Sequence, residues 1–479
     1  MKTTLPGNFA KAKILCTLGP VTNNADIIKK MILQGMDGVR LNFSHGDYNF
    51  YDNLYKEIHK SCVDENAPLS ILIDLQGPKI RVGALSQPEI ELVQGNEIEI
   101  TTEEIKGTEK IISTSYKSLV LDAKIDNSIL IDDGLIRLRV TKKKKKSLIC
   151  SIENGGILRP KKGMNLPGMK LSTASVTEKD LRDLEFAMQH RVDYVALSFV
   201  RSVDDIIQLR KWMEEKNLLR PIIAKIEKKE ACDNIDEIID EADGIMVARG
   251  DLGVEIPAQE VPMLQKLIIR KCNARGKLVI TATQMLDSMI HNPIPTRAEA
   301  SDVANAVLDG TDVVMLSGET AVGKFPLNSV HIMDEIIKNA GMHIVPLKEN
   351  EFIIPKSTEE NLFDSMGRGI VAMSRQINAS AIVVFTLQGR TAMNLSKYKP
   401  TAKIIAVSNS FDTMNNLCLR WGVTSTFCAE IDKEHLAIDK IKKMINEAGH
   451  IKEGDIVIFT AGAPYSEKSR VNWLRFEVI

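Results

Sequence analysis

A (β/α)8 barrel with an inserted all-β domain, followed by a smaller open α/β domain, is the α/β architecture predicted for this chain of 479 residues. Three observations predict it. Short apolar, β-branched runs alternate with segments of helical periodicity, and eight such runs come before about residue 340. The alternation breaks once, after the third run, into stretches of two-residue periodicity. A polar connector then leads to a further set of strand and helix signals.

The eight runs are "AKILCTLG", "GVRLNFS", "LSILIDL", "YVALSFV", "PIIAKIE", "GIMVARG", "LVITATQ" and "DVVMLSG". Each is short and apolar on both faces, as a buried parallel strand must be. Segments such as "SVDDIIQLRKWMEEK" and "TRAEASDVANAVLDG" place apolar residues at helical spacing. Residues 1–87 and 161–340 are assigned to the barrel on this pattern. Between them, residues 88–160 contain "NEIEIT" and "LIRLRVT" with glycine turns and no helix signal, which reads as a β-domain inserted at the barrel mouth. Its lysine run at 142–146 reads as a solvated hairpin end in preference to a phosphate hook. The connector "PLKENEFIIPKSTEEN" opens the region 341–479, where "ASAIVVFT", "AKIIAVSN", "VTSTFCA" and "DIVIFTAG" predict a small open sheet.

Composition narrows the function classes. Sixty-two basic and 63 acidic residues leave a formal net charge of −1, so no bulk field draws the chain to nucleic acid or to an anionic membrane. Any anionic ligand must be caught locally. The N-terminal stretch has no uninterrupted apolar core or small-residue cleavage site, and no segment has the length of a membrane span, which predicts a cytoplasmic protein. Seven cysteines are scattered without a CxxC pair and read as reduced core residues.

Active sites of such barrels lie at the C-terminal ends of the strands. Those ends read "TLGP", "RLNFSHG", "DLQGPKIR", "KIEK", "ARGDLG", "TATQM" and "SGET". Glu227 and Asp251 end adjacent strands, and two carboxylates with room for water suit Mg²⁺, whose remaining ligands come from substrate oxygens. The alternative is a pair of solvated loop acids, against which Lys225 and Arg40 stand as fixed cations of the kind phosphoryl transfer needs. Arg81 and Lys162 flank the insert on its two sides, where they are either surface charges or the grip on a second phosphate-bearing partner. Thr283 is placed either to relay a proton or to cap the next helix, with Ser317 and Glu319 as candidate members of the relay. His45 is either a phosphate contact or a loop donor.

Taken together these residues resemble the pyruvate kinase family, and the resemblance runs over essentially the whole chain. "KILCTLGP", "GVRLNFSHG", "KKGMNLPG", "LSFVRS", "GIMVARGDLGVEIP", "TATQMLDSM", "PTRAEASDVANAVLDGTDVVMLSGETAVGKFP" and "KYKPTAKIIAVS" follow that family's motifs in order. "KIEK" departs from the family's usual "KIEN" but keeps Lys225 and Glu227. The resemblance implies transfer of the phosphoryl group of phosphoenolpyruvate to ADP, giving pyruvate and ATP, with Mg²⁺ or Mn²⁺ as the metal. It assigns Lys225 to the phosphoryl group in flight and Glu227 and Asp251 to the metal. Arg40 and the Gly250 backbone fall to the substrate, Thr283 to the methylene carbon, and Asn42, Ser44, His45, Arg81 and Lys162 to the nucleotide side. It also implies a homotetramer.

Two finer expectations follow from the resemblance. In K⁺-dependent members the ion is held by residues matching Asn42, Ser44, Asp74 and the Leu75 carbonyl; here Leu75, Gln76, Lys79 and Val82 follow the pattern of members that do not need it. The ammonium of Lys79 would then neutralise Asp74 in place of the ion, unless Lys79 is only a hinge residue of the insert. In "TLQGRT", Thr386, Gln388, Gly389, Arg390 and Thr391 match the loop that holds the phosphate of an effector. A sugar phosphate and AMP both remain open as that effector, because "GAPYSEKSRVNW" departs from the usual effector loop. Rival readings are a Mg²⁺-dependent lyase or aldolase acting through a pyruvate enolate, and a catalytically silent effector-binding homologue. An assay coupled to lactate dehydrogenase, with and without ADP, separates the three.

Overall fold

The computed structural model describes residues 9–345, 347–429, 434–462 and 471–479. Eight parallel strands close into a barrel: Lys13–Thr17, Gly38–Asn42, Ser70–Asp74, Tyr194–Leu197, Ile222–Ile226, Gly244–Ala248, Leu278–Ala282 and Val313–Leu316. All eight come from the apolar runs read in the sequence. The helices Val203–Glu215 and Arg297–Leu308 occupy two of the segments with helical spacing. Thr296 caps the second of these in a reciprocal pair with Glu299, which satisfies two N-terminal donors and stops the helix from starting earlier.

The insert leaves the barrel after the third strand. Its sheet has six strands, and a separate two-stranded ribbon joins Ile90–Leu92 to Gly156–Leu158. The sheet includes Met164–Asn165, which pairs with Leu130 and Ile131, and its apolar cluster takes in Ile80, Val82 and Met169. One short helix, Leu119–Asp122, interrupts the strands, contrary to the helix-free reading of this stretch. Four residues are too few to show a helical period in sequence. The lysine run turns the hairpin between Ile136–Lys143 and Ser147–Asn154, and Lys144 and Lys146 pair with Glu99 and Glu103 at 2.8 and 2.6 Å.

The third region carries a five-stranded sheet. Four strands are parallel, and Trp473–Val478 pairs antiparallel with Ile456–Ala461 at one edge. That edge strand has no counterpart in the sequence reading, because a half-exposed strand lacks the continuous apolar run that marked the others. This region docks on the N-terminal ends of the barrel strands, opposite the mouth. Leu69 N–H donates to Asn415 Oδ1 at 3.2 Å, and Tyr194 Oη donates to the Asn416 carbonyl at 2.6 Å. Leu419 enters the barrel interior and completes the apolar layer formed by Leu15, Leu72, Tyr194 and Ile223. The barrel is therefore plugged at one end and open at the other. All seven cysteines are free thiols. No described helix is long and apolar enough to cross a membrane.

Candidate active site

Asp74 is the last residue of the third strand and is 1% exposed. Its carboxylate sits between two cations carried by other strands. Arg40 Nε donates to Oδ2 at 2.7 Å, and Lys225 Nζ donates to Oδ1 at 3.1 Å. Arg40 is held from its other side by Thr17 Oγ1 at 3.0 Å. Lys225 also donates to Ser198 Oγ at 2.7 Å and pairs with Glu227 Oε1 at 2.8 Å. Burial acts to raise the Asp74 pKa, yet Lys225 and Arg40 outweigh it and hold the carboxyl below its ordinary value. Burial likewise acts against the charge on Lys225, and Asp74 and Glu227 reverse that, so the ammonium is held more firmly than in water. Both cations are thus fixed on one carboxylate where water is scarce.

Asp74's direct partners are therefore Arg40 and Lys225, and Lys79, expected to neutralise it, makes no ion pair with it among the described residues. Gly77, at φ +67°, turns the chain away just beyond the strand, with its N–H on Asp180 Oδ1 at 3.0 Å. Lys79 emerges from that turn exposed. Its charge is still felt at the mouth: burial lowers the His45 pKa, and Lys79, Arg81 and Arg40 lower it further.

Glu227 follows the fifth strand and is nearly as buried as Asp74. Phe199 N–H donates to its Oε2 at 2.8 Å. Burial raises its pKa, Lys225 opposes that, and the charge of Asp251 adds to the rise. A buried carboxylate, Glu227, and a half-buried one, Asp251, that repel one another make a donor set suited to a hard divalent ion. Among the described residues no cluster of three or more His, Cys, Asp or Glu side chains could hold a metal. The chemistry of Glu227 and Asp251 fits Mg²⁺, which takes one or two carboxylates and draws its other ligands from water and substrate.

Asp251 and Gly250 belong to the helix Arg249–Glu255, which begins at the end of the sixth strand. The Gly250 N–H donates to Thr283 Oγ1 at 2.8 Å, and Thr283 Oγ1 donates to the Ala282 carbonyl at 2.6 Å. Thr283 thus tethers that helix instead of capping the next one. It does so from a φ of +68°, a strained conformation for a β-branched residue. Arg249 fixes the same turn through Asp302 at 2.7 Å and the Thr283 carbonyl at 2.8 Å. Glu319 accepts from the N–H groups of Leu286 and Ser317 at 3.1 and 2.7 Å, and burial raises its pKa. The Ser317 hydroxyl is buried and has no hydrogen-bond partner among the described residues.

The insert brings its two hinge cations side by side. Arg81 bridges to Gly163 across the hinge, and its Nη1 donates to the Lys161 carbonyl at 2.9 Å. Lys162 pairs with Asp132 at 2.8 Å. Across the mouth, Asn42 Oδ1 accepts from Ser44 N–H at 3.2 Å, and the Leu75 carbonyl accepts from Ser198 Oγ at 2.7 Å. A cavity of about 80 Å³ lies between insert and barrel, lined by Lys79, Asn165, Phe199, Lys228 and Asp251. A wider cleft of about 810 Å³ continues past Asp251, Gly250 and Gln284. Ser198, Thr17, Phe199 and Lys228 were not singled out in the sequence. Each touches a site residue at least 23 positions away in the chain, or through a fold contact that local pattern does not show.

Far from the mouth, the loop after Ala381–Phe385 turns at Gly389, whose φ is +78° and whose N–H donates to Thr386 Oγ1 at 2.9 Å. Thr391 is buried in the helix that follows, Gln388 is exposed, and Arg390 pairs with Glu360 at 3.2 Å. Of "GAPYSEKSRVNW", residues 463–470 lie outside the described residues.

Comparison with known proteins points the same way over the full length of the chain. Residues 9–330 match the model "Pyruvate kinase, barrel domain", and residues 364–476 match "Pyruvate kinase, alpha/beta domain". A pyruvate kinase of Geobacillus stearothermophilus is 42% identical over 475 residues, covering 98% of this chain and 80% of that protein. One from Staphylococcus aureus strain MRSA252 is 40% identical over 474 residues, with the same coverage. A crystal structure of a pyruvate kinase from Cryptosporidium parvum superposes with a TM-score of 0.90 at 35% identity, covering 98% of this chain and 96% of that one. On the family models and on these relatives, the chain belongs to the pyruvate kinase family of phosphotransferases.

Proposed function

We propose that the chain transfers the phosphoryl group of phosphoenolpyruvate to ADP in the final, ATP-yielding step of glycolysis. The observation that carries this reading is the pair of cations, Arg40 and Lys225, locked on one buried carboxylate at the barrel mouth. Their positive charge does not reorganise as the reaction proceeds, so it can favour a transition state that spreads charge over three phosphoryl oxygens. Glu227 and Asp251 would hold Mg²⁺ or Mn²⁺, which supplies charge for the carboxylate and phosphate of the substrate. Arg40 and the Gly250 backbone orient the substrate, and Asn42, His45, Arg81 and Lys162 receive the nucleotide. Thr283 would serve the proton transfer to the enolate carbon, with Ser317 and Glu319 as members of the relay. The buried, unpartnered Ser317 hydroxyl and the raised pKa of Glu319 support that assignment. Replacing Lys225 by Met is expected to lower kcat on the order of 10³-fold while phosphoenolpyruvate binding changes far less, because this charge acts chiefly in the transition state. Near-normal kcat in steady-state assays would remove Lys225 from that role.

The same site supports activity without K⁺. Lys79 lies near enough to the segment from Asn42 to His45 to help lower the His45 pKa, after burial. Asp74, meanwhile, already has two internal cations. Nearly full activity is expected with Mg²⁺ in tetramethylammonium buffer at constant ionic strength. Lys79→Glu is expected to lose much of it and to regain part when K⁺ is added. Activation of the wild-type enzyme by K⁺ of about tenfold or more would contradict this reading.

The loop 386–391 is proposed to hold the phosphate of a sugar phosphate or of AMP. Support comes from the turn at Gly389, which leaves the Gln388 and Arg390 side chains exposed at the start of a helix. Fructose 1,6-bisphosphate, a sugar monophosphate or AMP is expected to shift the phosphoenolpyruvate saturation curve to lower concentration, and Thr391→Glu to abolish the shift. Saturation curves unmoved by all three would remove the assignment.

A further inference from the structure

Ladder pairing between the fifth and sixth barrel strands ends at Ile226 and Val247. Glu227 and Asp251 both lie beyond that last pair, so the sheet no longer sets the distance between them. The helix that carries Asp251 does not hold itself in place either. It has seven residues, and Ala248 before it makes no side-chain cap.

An ion pair spans the gap. Lys228 follows Glu227 in the chain, and its ammonium meets Oε1 of Glu255. Glu255 is one helical turn beyond Asp251, on the same face of the same helix. Both partners are buried, at 6% and 8% exposure. Lys228 also stands 5.8 Å over the ring of Phe199, the residue whose N–H holds Glu227. Glu227, Phe199, Lys228, Glu255 and Asp251 therefore form a closed circuit around the two carboxylates. Asn165, from the last strand of the insert, faces the same Glu255 carboxylate.

We propose that Lys228 and Glu255 are positioning residues that set the separation of Glu227 and Asp251 for a divalent cation. The inference rests on the reading of those two carboxylates as metal ligands. A buried ion pair gains little net stability over apolar side chains of similar size, because both charges must first be stripped of water. Thr283 and Arg249 tether the start of the helix, and what this pair provides in addition is a direct tie between its far end and the segment that carries Glu227.

The test is Mn²⁺ binding to the resting enzyme, without nucleotide or phosphoenolpyruvate, followed by loss of the free-ion electron paramagnetic resonance signal. Lys228→Met is expected to weaken binding about 10- to 100-fold, the usual effect of removing a group that orients a metal ligand. Lys228→Arg, which keeps charge and reach, is expected to recover most of it. In steady-state assays the Mg²⁺ activation constant should rise more than kcat falls. Glu227→Ala tests the underlying reading: wild-type Mn²⁺ affinity in that variant would sink the metal assignment and this inference with it. Lost binding in Glu227→Ala together with wild-type affinity in Lys228→Met would overturn the positioning role alone. Should Lys228→Met fold poorly, the double variant Lys228→Met, Glu255→Leu decides. Recovered Tm with Mn²⁺ affinity still weak supports positioning, and affinity that recovers with Tm overturns it.

Discussion

The buried carboxylate of Asp74 is the constraint on which the rest of the mouth depends. Two cations carried by other strands of the barrel would repel one another and draw in water if nothing lay between them. With Asp74 between them, Arg40 and Lys225 hold one geometry at opposite oxygens of the same group. Ser198 ties Lys225 to the Leu75 carbonyl, so the backbone just past Asp74 belongs to the same network. The cost is the desolvation of three charges. The closed sheet meets that cost by placing the triad at strand ends whose apolar packing is settled elsewhere, in the layers beneath.

A second layer of order comes from the side chains that fix the loops and the short helix at the mouth. Thr283, in a strained backbone conformation, tethers the start of the helix that carries Asp251. Lys228 and Glu255 tether its end. Glu319 ties the loop after the seventh strand to the end of the eighth by accepting from the N–H groups of Leu286 and Ser317. Short helices at barrel mouths have little stability of their own, so their placement is written in such side-chain contacts.

Much of this was legible in the sequence, for identifiable reasons. The eight barrel strands are buried on both faces and so appear as continuous apolar runs. Arg40, Lys225, Glu227 and Asp251 are charged residues at the ends of such runs, where burial alone would not place them. What stayed hidden depends on partners distant in the chain. Asp74 meets Lys225 across 151 positions, and Ser198 meets Lys225 across 27. Lys79 was read as Asp74's partner because Leu75, Gln76, Lys79 and Val82 together follow the pattern of K⁺-independent family members, a pattern that does not show the Gly77 turn beyond which Lys79 lies exposed. The edge strand Trp473–Val478 and the helix Leu119–Asp122 escaped notice because one is half exposed and the other is a single turn.

The most direct measurement is the kinetics of Asp74→Asn, which keeps the shape of the side chain and removes the charge between the two cations. If Asp74 organises them for the transition state, kcat falls about 10²-fold or more, with a smaller change in the KM for phosphoenolpyruvate and a folded enzyme by circular dichroism. A folded variant with kcat within about threefold of wild type would contradict the account, since Arg40 and Lys225 would then be held in place without it.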